Sequence, residues 1–135
     1  MQLLRNTKES YKTILDANAV LRYVLNDHPF MAQTVSELIQ SRPVLIKFEV
    51  LAEVFYVLTK PYGLPRLEVL HAVLEFSKIE NVHMEDFAVF DCACDLYAHS
   101  SLDFVDCLLY GYRKILGAEI FTFDKKLIKK LNQLP

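Results

Sequence analysis

Four acidic residues stand where carboxylates could act together. Asp16 closes the apolar run Thr13-Ile14-Leu15, and Asp124 follows the run Glu119 to Phe123. Glu53 and Asp106 lie inside helical stretches whose sequence neighbours are apolar: Val50, Leu51, Ala52, Val54 and Phe55 around the first, Phe104, Val105, Cys107, Leu108 and Leu109 around the second. Ionised carboxylates are rarely buried without partners, so such an acid is expected to be partly buried or to point into a crevice. No basic residue lies one turn away to pair with either. One turn on are Tyr56 and Val57 for Glu53, and Leu109 and Tyr110 for Asp106. If these acids converge with Asp16 and Asp124, their repulsion forces protonation or calls for a divalent cation. Ligands that are all oxygen favour Mg²⁺ or Mn²⁺ over zinc. Such an ion keeps several waters, one of which can become a nucleophile, and its charge attracts and clamps a phosphodiester.

Each acid also has a plainer reading. Asp16 and Asp124 precede helical stretches and suit the N-cap position, where a side-chain oxygen accepts from a first-turn N–H. Asp103 can cap the helix that begins near it. Glu49, four residues before Glu53 and on the same helix face, reads as a solvated residue. The set of four, rather than any one acid, carries the chemical reading.

The elements that must position these acids alternate along the chain. Thr13-Ile14-Leu15, Val44-Leu45-Ile46, Asn81 to Met84 (the weakest) and Glu119 to Phe123 read as strands. Between them the apolar spacing predicts helices over Ala17 to Asn26, Phe30 to Gln40, Phe48 to Thr59, Arg66 to Phe76, Glu85 to His99, Leu102 to Leu116 and Lys125 to Leu131. The inner faces are expected at Leu51, Val54, Phe55 and Leu58, and at Phe87, Phe90, Ala93, Cys94 and Tyr97. Gly117 is placed to end its helix. Strands separated by helices imply parallel pairing, so the fold class is a three-layer α/β/α sandwich around a mainly parallel sheet. Ligands in such sheets bind beyond the carboxyl ends of the strands, where Asp16 and Asp124 are expected to emerge.

Composition bounds the rest. The 135 residues suit one domain, and the chain is 53% hydrophobic and 24% charged, as a globular protein is. A net charge of −2 is not that of a strongly basic nucleic-acid binder, so any nucleic-acid contact must rest on local patches. Three cysteines without C-x-x-C spacing and scattered histidines give neither a disulfide framework nor a zinc site. With only three glycines, no glycine-rich nucleotide loop exists. No apolar run approaches the length of a membrane helix and the N-terminus lacks a secretory pattern, so a cytoplasmic protein is expected.

At these residues the chain resembles a known family. LDANAVLRYVLND is similar to the opening motif of PIN domains, VLAEVFYVL to their acid-bearing central helix, and LDFVDCLLYGYRKILGAEIFTFDKKL to their C-terminal half, in which an acidic helix leads to a strand ending in T-x-D. The resemblance runs from about Tyr11 to Leu131 and leaves residues 1–10 as a short extension of a single PIN-like domain. It implies a ribonuclease dependent on Mg²⁺ or Mn²⁺, with Asp16, Glu53, Asp106 and Asp124 as catalytic metal ligands. Asn18, Asp103 and Thr122 are implied as supporting residues that hold or orient water or ligand. PIN proteins of this size resemble VapC-type toxins of toxin–antitoxin pairs, which implies an RNA substrate, an antitoxin protein and a homodimer. Many relatives carry one more strand after the position where this chain reaches Pro135.

The lysines after Asp124 (Lys125, Lys126, Lys129 and Lys130) could hold RNA phosphates, or they could be a solvated helix end whose cations suit the helix dipole. The alternative function is a non-catalytic PIN-like module that binds RNA or protein, which the intact acids disfavour. A haloacid-dehalogenase-type phosphatase wants a second Asp two residues after the first, where this chain has Asn18. A receiver domain wants paired acids near the first strand, and they are lacking.

Overall fold

The computed structural model describes residues 13–135, so the expected extension over residues 1–10 lies outside the described residues. These residues form two compact units that divide between Glu85 and Asp86. Together the units hold seven helices and a three-stranded parallel sheet, an α/β sandwich as the alternation predicts.

The first unit contains β1 (Thr13–Ile14), α1 (Ala17–Leu25), α2 (Pro29–Ser41), β2 (Val44–Ile46), α3 (Phe48–Thr59), α4 (Arg66–Ser77) and β3 (Val82–Met84). The sheet order is β1-β2-β3, with Thr13 opposite Val44, and Val44, Leu45 and Ile46 opposite Val82, His83 and Met84. Parallel neighbours cannot be joined by a tight turn and need a long crossover. Helices α1 and α2 supply it between β1 and β2, and α3 and α4 between β2 and β3. The apolar stripe of α3 (Leu51, Val54, Phe55 and Leu58) is buried as its spacing predicts, with Val44 and Ile46 of the central strand and Val69 and Val73 of α4.

Local chemistry sets the helix ends. Asn26 takes the left-handed conformation that stops α1, at φ 51°. Pro29 opens α2, and the His28 Nδ1 accepts from the Met31 N–H at 3.2 Å. Glu85, just beyond β3, does not begin a helix as its sequence suggests. Its Oε1 accepts from the Phe48 N–H at 2.9 Å and pairs with Lys47 at 3.4 Å. The carboxylate thus caps α3 from a distant part of the chain.

The second unit contains α5 (Phe87–Ala98), α6 (Phe104–Leu116) and α7 (Lys125–Asn132). Helices α5 and α6 pack closely. At Gly111 a Cβ would lie 3.1 Å from the Val89 carbonyl oxygen and 3.2 Å from its Cγ1, so glycine permits the approach. Gly117, at φ 72°, ends α6 as expected, with its N–H donating to the Arg113 carbonyl. Phe90, Ala93, Cys94 and Tyr97 form the inner face of α5, but Phe87 is 63% exposed and is not part of it.

One expected element is absent among the described residues. Residues 119–123 form no strand. Their alternation survives in the exposure pattern, with Ile120 and Thr122 half-buried and Glu119, Phe121 and Phe123 exposed. A strand also needs a hydrogen-bonded neighbour, and this backbone has none among the described residues. Asp124 therefore emerges from a loop and not from the end of a strand.

Candidate active site

Two of the predicted acids belong to the first unit. Asp16 follows β1, whose end is held by the Leu15 N–H donating to the Leu45 carbonyl at 3.3 Å. It is exposed and caps α1, with its Oδ1 accepting from the Ala19 N–H at 2.8 Å. The plainer reading of Asp16 is thus correct, and it uses one oxygen. Oδ2 accepts no hydrogen bond among the described residues. Asn18 is exposed on the first turn of the same helix.

Glu53 lies on α3, which packs against α1. It is exposed, so of the two settings expected from its apolar neighbours, partial burial is excluded. The reason is helical geometry. Each step along the chain turns about 100° around the axis, so Leu51, Val54 and Phe55 reach the core while Glu53, between them in sequence, faces outward.

The second unit brings three acids into one another's field. Asp106, on the first turn of α6, is half-buried as expected. Burial, then Asp124 and Asp103, hold its carboxyl above the usual carboxylate range. Asp103 occupies the N-cap position of α6 without a side-chain cap bond. Asp124 caps α7, its Oδ1 accepting from the Leu127 N–H at 2.9 Å, and Leu127 is fully buried, which anchors that helix. The Thr122 Oγ1 accepts from the Asp124 N–H at 3.0 Å, so Thr122 sets the backbone from which Asp124 projects.

None of Asp16, Glu53, Asp103, Asp106 and Asp124 has an ion-pair partner among the described residues. No group of three or more acidic, histidine or cysteine side chains there is arranged as a metal cage. The donor chemistry nevertheless suits a hard cation: all-oxygen carboxylates, with Asp106 pressed by two others. Mg²⁺ is commonly held by one or two carboxylates and its own waters.

The lysines after Asp124 divide. Lys126, Lys129 and Lys130 of α7 line a recess of about 350 Å³ with Ser100, Ser101, Leu102 and Gln133, whereas Lys125 lies outside it. The Lys126 Nζ donates to the Ser101 Oγ at 3.4 Å. The two serines escaped the sequence reading, because nothing in their spacing relates them to α7. A second recess of the unit, about 410 Å³, is lined by Arg113, Glu119 and Thr122 among others.

No helix among the described residues is long and apolar enough to cross a membrane. No curated protein and no solved structure gives a significant match to the chain. One protein-family model does match, that of the PIN domain, over residues 13–132, a span that takes in all four acids, Asn18, Thr122 and the lysines of α7. The chain therefore belongs to the PIN-domain family.

Proposed function

We propose that this protein is a metal-dependent endoribonuclease in which Asp16, Glu53, Asp106 and Asp124 act as one acidic set on RNA phosphodiesters. PIN domains are typically nucleases, and the family match supports hydrolase chemistry in general. The observation that carries the specific reading is the state of Asp106. This half-buried carboxyl is raised first by its burial and then by Asp124 and Asp103, and no cationic side chain neutralises the three among the described residues. A merely structural acid would be expected to have a partner.

In this reading Asp16, Glu53, Asp106 and Asp124 are the residues that would hold Mg²⁺ or Mn²⁺. Asp16 and Asp124 each keep one carboxylate oxygen outside the helix cap. When bound, such an ion would supply an activated water and charge stabilisation at the phosphate. Asn18 and Thr122 orient water or ligand, and Asp103 adds negative charge beside Asp106. The finer role, toxin of a toxin–antitoxin pair working as a homodimer and silenced by an antitoxin protein, rests on the resemblance of the chain to VapC-type toxins.

The test is cleavage of a mixed cellular RNA pool with Mg²⁺ or Mn²⁺, comparing the native protein with Asp16→Asn. Discrete fragments that disappear with EDTA and in the variant support the proposal. No cleavage by the folded protein, freed of any antitoxin, with either metal would overturn it in favour of a non-catalytic binding module.

A further inference from the structure

We propose that the recess lined by Lys126, Lys129, Lys130, Ser100 and Ser101 is a backbone-phosphate subsite for single-stranded RNA, which deepens the ribonuclease reading and rests on it for the choice of polyanion. Three features separate this recess from an ordinary solvated helix face. It is concave, about 350 Å³, and no acidic residue lines it. Its three lysines make no ion pair among the described residues, in a chain whose net charge is −2. Two hydroxyls from a different part of the chain face it, and one of them accepts from the Lys126 ammonium.

The helix dipole accounts for Lys129 and Lys130, which sit in the last turn of α7. It does not account for Lys126 in the first turn, nor for the serines. The Ser100 Oγ accepts from the Leu102 N–H at 3.3 Å, which leaves its own proton to donate. The lining thus offers ammonium and hydroxyl donors, as phosphate oxygens require. Lys129 lies five residues after Asp124 on the same helix, about 8 Å along its axis at 1.5 Å per residue. A strand seated in the recess therefore runs beside one of the proposed catalytic acids.

Binding of a labelled single-stranded oligoribonucleotide to the full chain, in EDTA so that cleavage cannot intervene, tests the subsite across a salt series. The variant combining Lys126→Ala, Lys129→Ala and Lys130→Ala is expected to bind at least tenfold more weakly. Its log K against log salt slope should shrink by about 2, at roughly 0.7 for each phosphate no longer neutralised. Lys60→Ala, an exposed lysine of the first unit, should change neither, and replacing the three lysines by Arg should restore binding if the alanine variant proves unstable. Unchanged affinity and slope in the triple variant would overturn the proposal. So would a lysine-dependent interaction with a poly-glutamate peptide in place of RNA, which would make the recess a protein-docking site. Because no catalysis is read, failure of the ribonuclease reading shows separately, as intact lysine-dependent binding without cleavage.

Discussion

At Asp16 the observed capping role and the proposed metal-binding role separate most cleanly. Its Oδ1 caps α1 through a 2.8 Å bond to the Ala19 N–H. Asp16→Ala removes that bond at a cost of about 1 kcal/mol, whereas Asn caps as well as Asp does. Unfolding entropy near 2 cal/mol/K per residue gives this 135-residue chain a sensitivity of roughly 4 °C per kcal/mol. Asp16→Ala should therefore melt about 4 °C below the native protein and Asp16→Asn within about 1 °C of it. Cleavage behaves differently. Both variants lose the carboxylate, and on the proposed reading forfeiting about 3 kcal/mol of charge stabilisation should slow turnover at least a hundredfold. The assay pairs thermal unfolding by circular dichroism with initial cleavage rates at saturating Mn²⁺. An Asn variant that cleaves at the native rate would show that Asp16 is only a cap. Equal melting temperatures for the two variants would refute the capping energetics.

Four further outcomes follow from other features. Asp106 has its carboxyl raised by burial, Asp124 and Asp103, so the folded state binds that proton more tightly than the unfolded chain. Its contribution to stability is present below the ordinary carboxylate value and lost as pH rises through the raised one; Asp106→Asn should flatten that part of a metal-free melting-temperature profile. The Cys94 thiol is pushed up to about 12 by burial, and Cys107 is buried while Cys92 is half-buried, so a thiol reagent at pH 8 should label Cys92 alone until denaturant is added. Gly111→Val drives a side chain into Val89 and should destabilise by about 2–3 kcal/mol in urea unfolding. Thr122→Ala frees the Asp124 N–H and should lower both stability, by about 1 kcal/mol, and cleavage rate, with Thr122→Ser restoring both.

Where one period dominates the sequence, it was enough to read the fold. The stripe of α3 and the three-residue run of β2 emerge with the expected bounds, because their side chains pack on local neighbours. Glu53 shows the limit of that reading: apolar flanks describe the helix, whereas burial belongs to one face of it. The run from 119 to 123 shows a second limit, since alternation supplies two faces but a strand exists only when another strand takes its hydrogen bonds. Glu85 and the two serines of the basic recess were invisible for a third reason. Glu85 and Ser101 hydrogen-bond to segments far from them in sequence, Ser100 shares the recess with such a segment, and no spacing rule reaches that far. The caps at Asp16 and Asp124 could be anticipated because capping is local; whether the same carboxylates hold a metal depends on long-range placement that sequence does not encode in a readable pattern.

The run Ile120-Phe121-Thr122-Phe123 has a consequence for how the protein behaves in a tube. Phe121 and Phe123 are 82% and 87% exposed and meet edge to face at 5.3 Å between ring centres. They sit on a backbone without ladder partners among the described residues. Aromatic and β-branched side chains on an unpaired segment are the ingredients of intermolecular strand addition and aggregation. Glu119 on one side and Lys125 and Lys126 on the other act as charged gatekeepers of that stretch. Colloidal stability should therefore be poorest where those charges are screened, in concentrated stocks at high salt, and light scattering there should fall when Phe123 is replaced by serine.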